Sequence, residues 1–188
     1  MREIILEDKK IFLYLNNLGD SAFDPFWTMI SGTWIWVPLY IIFCYFIYKN
    51  FKLKYVLYIF LFTAIGVTIS DQVAEIFKYG VARLSPCYDP SVNHYMRTIK
   101  CGGELGFYSA HVSNTFFLAT FLSILLKNNL NWFPYVIFVW AAVVAYSRIY
   151  LGVHFPIDIL VGAFVGILLG VIFAMLAKKV ISKQTIQP

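Results

Sequence analysis

From Pro25 to Tyr48 the chain runs 24 residues without a single charge. A run of that length is long enough for a helix to cross the hydrocarbon core of a bilayer. Four more apolar stretches follow: Tyr55 to Ser70, Tyr108 to Leu126, Leu130 to Ser147 and Ile159 to Ala177. In lipid every backbone amide needs an internal partner, so such runs become helices. The expectation is an all-α, polytopic membrane bundle with about five crossings, forming one domain over residues 1–188. Composition agrees, since 60% of residues are hydrophobic and 13% are charged, against about half and a quarter in a soluble domain. No basic patch carries base-reading side chains, so nucleic acid is not an expected partner.

Residues 3–18 place Ile4, Ile5, Ile11, Phe12, Leu15 and Leu18 on one stripe, with Glu7, Asp8, Lys9 and Lys10 mostly off it. This predicts an amphipathic helix lying in the membrane interface. Met1 to Asp24 holds charges throughout and has no signal-peptide pattern. Asp24-Pro25 is a helix start, and Trp27, Trp34 and Trp36 are interface or packing anchors. The second run continues helically through Asp71, Glu75 and Lys78, whose spacing puts them on one face. That face must look into the bundle or toward water, and Glu75 is placed to pair with Lys78. Residues 79–107 form a polar loop. Gly162, Gly166 and Gly170 recur every four residues and predict close helix packing.

The charges are sorted by side. Lys49, Lys52, Lys54, Lys127, Lys178, Lys179 and Lys183 fall on one side, with the acids on the other or in its helix ends. The lysine-rich side, including the C-terminus, is expected to be cytoplasmic. The 79–107 loop and the stretch Ser147 to Asp158 are then extracytoplasmic, with the protein integral to a bacterial inner membrane. Cys87 and Cys101 both lie in that outer loop, where an oxidising compartment permits either a disulfide or two free thiols.

Ser147-Arg148-Ile149-Tyr150-Leu151-Gly152-Val153-His154-Phe155-Pro156-Ile157-Asp158 sits between two apolar runs. Charged groups there are candidates for function. An aspartate accepting from one imidazole nitrogen fixes the tautomer and leaves the other as nucleophile or base. An arginine presents a planar fork suited to phosphate. Under the five-crossing topology Lys78, Ser109 with His111, Arg148, and His154 with Asp158 all gather at one boundary.

These residues resemble the motifs of the type 2 phosphatidic-acid phosphatase superfamily, membrane phosphatases related to vanadium-dependent haloperoxidases. The family's third motif is Ser-Arg, five residues, His, three residues, Asp; Ser147-Arg148, His154 and Asp158 match it. Tyr108-Ser109-Ala110-His111 keeps the Ser and His of Pro-Ser-Gly-His. Lys78 and Pro86 keep the ends of Lys, six residues, Arg-Pro, with Ser85 standing where the family has Arg. The resemblance implies that His154 attacks phosphorus to form a phosphohistidine, that Asp158 orients it, and that His111 protonates the leaving oxygen and then activates water. Lys78, Arg148, Ser109 and the amides around Ala110 would hold the phosphate, a helix N-terminus being an anion site in its own right. Ser85 offers one hydrogen bond without charge, and Arg83, two residues away, is a stand-in for the missing cation. The resemblance implies no metal and no cofactor, and the sequence shows no metal-ligand cluster. His94 has no matching motif and reads as a surface residue. The expected substrate is a membrane lipid phosphate or pyrophosphate: undecaprenyl pyrophosphate, phosphatidylglycerol phosphate, phosphatidic acid or a lipid A phosphate. The alternative is a phosphate-lipid binding or transport protein impaired in catalysis at Ser85.

Overall fold

The structure is a computed structural model that describes residues 2–183. Among the described residues seven α-helices form the body of the fold: α1 (Arg2–Asn17), α2 (Asp24–Ile30), α3 (Val37–Asn50), α4 (Leu53–Val81), α5 (Ala110–Leu126), α6 (Phe133–Tyr150) and α7 (Pro156–Lys183). The stretches Leu53–Val81, Phe133–Tyr150 and Pro156–Ile181 are long and apolar enough to cross a membrane. Against about five expected crossings, three helices among the described residues reach spanning length, and a fourth span is reached only by counting one bent pair at the first expected crossing as one. Ser21–Ile30 and Trp34–Asn50 meet at a 65° bend, because the chain leaves helix at Ser31-Gly32-Thr33 before restarting at Trp34. A straight helix over Pro25 to Tyr48 is therefore corrected to two pieces joined at Ser31. The third expected crossing, α5, is shorter than a spanning helix and lies at the centre, packed against α4, α6 and α7.

α5 is buried nearly all round, with Val112, Phe117, Ala119, Phe121 and Leu126 fully inside. Its fit against α7 rests on the glycine stripe. A Cβ on Gly162 would stand 2.7 Å from the carbonyl oxygen of Ser109, and one on Gly166 would stand 2.3 Å from that of Ser113. Contacts so short exclude any side chain, so the stripe sets how closely α7 approaches the first turns of α5.

The amphipathic helix forms as expected, but its inward face differs. Asp8, Phe12 and Asn16 are its buried residues, while Ile4, Ile5, Ile11 and Leu18 are exposed. The reason is that α1 docks on protein through Asp8, Phe12 and Asn16 and leaves most of its apolar side chains exposed. Asn16 Nδ2 donates to the carbonyls of Tyr150 (2.9 Å), Ile149 and Arg97 (both 3.2 Å). Phe12 packs edge-on to Phe155, with ring centroids 5.1 Å apart.

Candidate active site

Successive helices run in opposite directions, so the end of α4, the start of α5, the end of α6 and the start of α7 meet at one end of the bundle. Each terminus delivers one group. α4 stops where Ala82 takes a left-handed conformation (φ 51°) and its N–H returns to Lys78. α6 stops at Gly152, whose φ of 81° is one that glycine adopts without strain. The turn it makes aims His154 back over the end of the bundle.

The outer loop closes over this end. Leu84 pairs with Leu105 in a short antiparallel bridge, and Cys87 is joined to Cys101 as a disulfide, Cα–Cα 5.6 Å. A Cβ on Gly106 would lie 3.0 Å from Ser85 Cα. Glycine there lets the two strands of the loop meet with the Gly106 carbonyl facing His154.

Lys78, Ala110, His111, Arg148 and His154 line a cavity of about 170 Å³, with Gly102, Gly103, Leu105 and Val153 completing its wall. Lys78 Nζ also pairs with Glu75 at 2.6 Å, as its spacing suggested. Asp71 is answered within the bundle by Asn114 Nδ2 at 2.8 Å. Ser109 precedes the first turn of α5 and is fully buried. Its N–H donates to the carbonyl of Asp158 at 3.2 Å, while its Oγ and Arg148 Nε are buried without a protein partner among the described residues. A larger hollow of about 220 Å³ between α3 and α6 is lined by apolar side chains alone, which offer no chemistry.

His154 Nδ1 lies 3.0 Å from the carbonyl oxygen of Gly106. A carbonyl only accepts, so Nδ1 carries the proton and Nε2 keeps its lone pair. The expected His154–Asp158 hydrogen bond is thus corrected: Nδ1 is 3.9 Å from Asp158 Oδ2, which is charge proximity and not a hydrogen bond. Asp158 is spent elsewhere. Its Oδ2 accepts the Phe155 N–H at 2.9 Å and its Oδ1 accepts from Arg83 Nη1 at 3.0 Å. Burial pushes the His154 imidazole below its ordinary range, and Asp158 opposes that shift without cancelling it.

Two expected phosphate ligands are placed differently. Arg83 lies behind Asp158, over the ring of Phe155, and bonds Asp158 and Asp8. Ser85 is buried, with its Oγ donating to the Gly103 carbonyl at 2.7 Å. Neither is among the residues that line the cavity, because Arg83 is held by two carboxylates and Ser85 by a backbone carbonyl. His94 is exposed, as expected.

Sequence reasoning missed Ser31, Gly102-Gly103, Gly106 and Asp8. Arg148 Nη1 hydrogen-bonds Ser31 Oγ, so the bend between α2 and α3 brings a hydroxyl to the arginine that lines the cavity. Ser31-Gly32 within an otherwise apolar run was the available signal. Asp8 carried none, because its partners are distant in sequence.

A helical membrane bundle that presents a tautomer-fixed imidazole, a second histidine and two cations around one small cavity is built for phosphoryl transfer. Residues 51–182 match the PAP2 superfamily, and the chain belongs to that family; it is a membrane lipid phosphatase. Among relatives, it is 37% identical over 172 residues to the lipid A 4'-phosphatase of Porphyromonas gingivalis, covering 89% of this chain and 72% of that protein. It is 33% identical over 180 residues to the lipid A 4'-phosphatase of Bacteroides thetaiotaomicron, covering 94% and 79%. In fold it is similar to Aquifex aeolicus LpxE (TM-score 0.65, 23% identity, 87% of this chain and 92% of that one). It is also similar to the PAP2-type phosphatidylglycerolphosphate phosphatase of Bacillus subtilis (TM-score 0.69, 21% identity, 100% and 89%).

Proposed function

We propose that this protein removes a phosphate monoester from a lipid A-type saccharolipid, the 4'-phosphate being the favoured position, through a phosphohistidine. The observation that carries the chemistry is the His154–Gly106 bond, which leaves Nε2 free beside Arg148, Lys78 and His111 in one cavity. The lone pair of His154 Nε2 attacks phosphorus while the bond from phosphorus to the sugar oxygen breaks. His111 gives its proton to that oxygen. The phosphorylated ring, protonated at Nδ1, is cationic and faces the Gly106 carbonyl and the Asp158 carboxylate. Water then attacks phosphorus, His111 takes its proton, the P–N bond breaks and inorganic phosphate leaves. Lys78, Arg148, Ser109 Oγ and the first amides of α5 bind the equatorial oxygens, where fixed donors stabilise developing charge.

The substrate class rests on the two relatives, each aligned over most of its length. A site at the end of an apolar bundle suits a lipid whose phosphate is wet and whose chains are buried. The sorted lysines support an extracytoplasmic active site with the C-terminus inside, and the Cys87–Cys101 disulfide is consistent with an oxidising side. Impaired binding or transport through Ser85 loses its basis, since Ser85 does not face the cavity.

The test is phosphate release by the purified protein from lipid A, phosphatidic acid, phosphatidylglycerol phosphate and undecaprenyl pyrophosphate. Lipid A should be the best substrate, losing its 4'-phosphate. His154→Ala should leave less than about a thousandth of that rate in a protein that still folds and inserts, since losing the nucleophile alone can cost about as much as losing the whole catalytic group. Retention of more than a tenth removes His154 as the nucleophile, and a better rate on another lipid replaces the substrate assignment.

A further inference from the structure

Residues 1–50 lie outside the segment that matches the family, yet they reach the catalytic loop through one carboxylate. Asp8 is at the docked face of α1, and its side chain is only 1% exposed. Its Oδ1 accepts the Ile157 N–H at 2.9 Å, in the first turn of α7, where a helix has unpaired donors and favours negative charge. Its Oδ2 accepts from Arg83 Nη2 at 2.5 Å. Arg83 in turn holds Asp158, itself fully buried. Asp8, Arg83 and Asp158 are therefore a chain of minus, plus and minus, carrying one net negative charge behind His154.

The sign of that net charge matters. Around His154 stand Arg148 at the end of α6, Lys78 at the end of α4 and His111 in α5, with Lys100 of the outer loop acting on His111. Toward the substrate the histidine therefore sees cations, which suit a phosphate but resist a positive ring. Asp158 alone would be neutralised by Arg83. Asp8 neutralises Arg83 instead and leaves the charge of Asp158 uncompensated.

We infer that Asp8 is a positioning residue of the active site, which through Arg83 orients Asp158 and supplies the negative charge that lets His154 become cationic as it takes up phosphorus. The stripe Asp8, Phe12 and Asn16 makes α1 a strap over the segment Ile149 to Ile157. Loss of the strap would loosen the loop, but loss of the charge alone would change His154 without loosening anything. The inference rests on His154 being the nucleophile, and the two ideas can fail separately.

The chain contains 3 histidines, so the full-length protein labelled in its imidazoles can be titrated by NMR in micelles without substrate, with His94→Asn and His111→Asn to assign the signals. Asp8→Asn keeps the shape and the acceptor for Ile157 N–H but removes the charge. It should lower the acid transition of His154 by about one pH unit. In kinetics the acid limb should move the same way, with kcat down about tenfold and KM little changed. Asp8→Glu should restore the titration. Arg83→Gln removes the opposing charge and should move His154 upward, so the two variants shift it in opposite directions. If both leave the titration where it was, or both move it downward, Asp8 is only a strut and the inference falls. Should the wild type release no phosphate from any lipid, the functional reading fails, while the titration still decides the role of Asp8.

Discussion

The ring of His154 is tied to the carbonyl of Gly106 at 3.0 Å, with Asp158 standing off at 3.9 Å from the same nitrogen. A residue from the outer loop, not the aspartate four positions on, selects the tautomer. The loop is consequently part of the wall and of the hydrogen bonding of the candidate site. What pins it is the bridge at Leu84 and Leu105, the disulfide, and the donation of Lys100 N–H to the Leu151 carbonyl at 3.2 Å.

The pH dependence follows from the burial of His154. As the proposed nucleophile His154 must be neutral, and the folded-state value lies below the ordinary imidazole value of 6.5. The neutral form therefore persists through pH 6.5 and is lost only as pH falls through the lowered value. The acid limb of kcat/KM should lie below pH 6.5. A limb centred above that would mean that the group titrating is not a buried His154.

Ser31 should matter although it lies outside the segment that matches the family. Its hydroxyl accepts from Arg148 Nη1, and it is 7% exposed. A hydrogen bond to a charged group contributes about 1.5–3 kcal/mol, so Ser31→Ala should lower kcat/KM at least about tenfold. Ser31→Thr, which keeps the hydroxyl, should recover part of it. Unchanged kinetics in the alanine variant would show that Arg148 is held by other contacts.

Restoring the family's arginine at residue 85 should not help. Ser85 is 1% exposed, and its Oγ donates to the Gly103 carbonyl at 2.7 Å. The site is therefore too tight for a guanidinium arm without displacing the loop that carries the Gly106 carbonyl. Ser85→Arg should lower both Tm and kcat/KM. A gain in kcat/KM would place the residue at the phosphate after all.

The disulfide provides a joint test of loop anchoring and sidedness. Closing a loop of this size contributes roughly 3 kcal/mol, so the Cys87→Ala, Cys101→Ala double variant should melt earlier and show a higher KM, Gly102 and Gly103 being cavity wall. In a Cys44→Ser background, an impermeant thiol reagent should label intact cells only after reduction. Labelling that needs a permeabilised inner membrane would reverse the orientation.

Much of this protein was legible along the chain because its determinants are local. Uncharged runs dictate helices in lipid, the four-residue glycine repeat dictates a close helix contact, and the alternation of helix direction brings Lys78, His111, Arg148 and His154 to one end. The spacing of Ser147, Arg148, His154 and Asp158 on two consecutive helix ends carried the chemistry. What only the tertiary structure decided are relationships between groups far apart in sequence. Gly106 rather than Asp158 binds His154, since a backbone carbonyl leaves no mark in a residue's identity. Arg83 turns to Asp158 and Asp8 instead of the cavity, since a half-buried cation goes where two carboxylates can answer it. Asp8 and Asn16 face inward while isoleucines face out, because the protein surface that α1 meets offers backbone donors and carbonyls for polar side chains to bond. A helical periodicity records that a face exists, but what lies against each face is settled only when the helices pack.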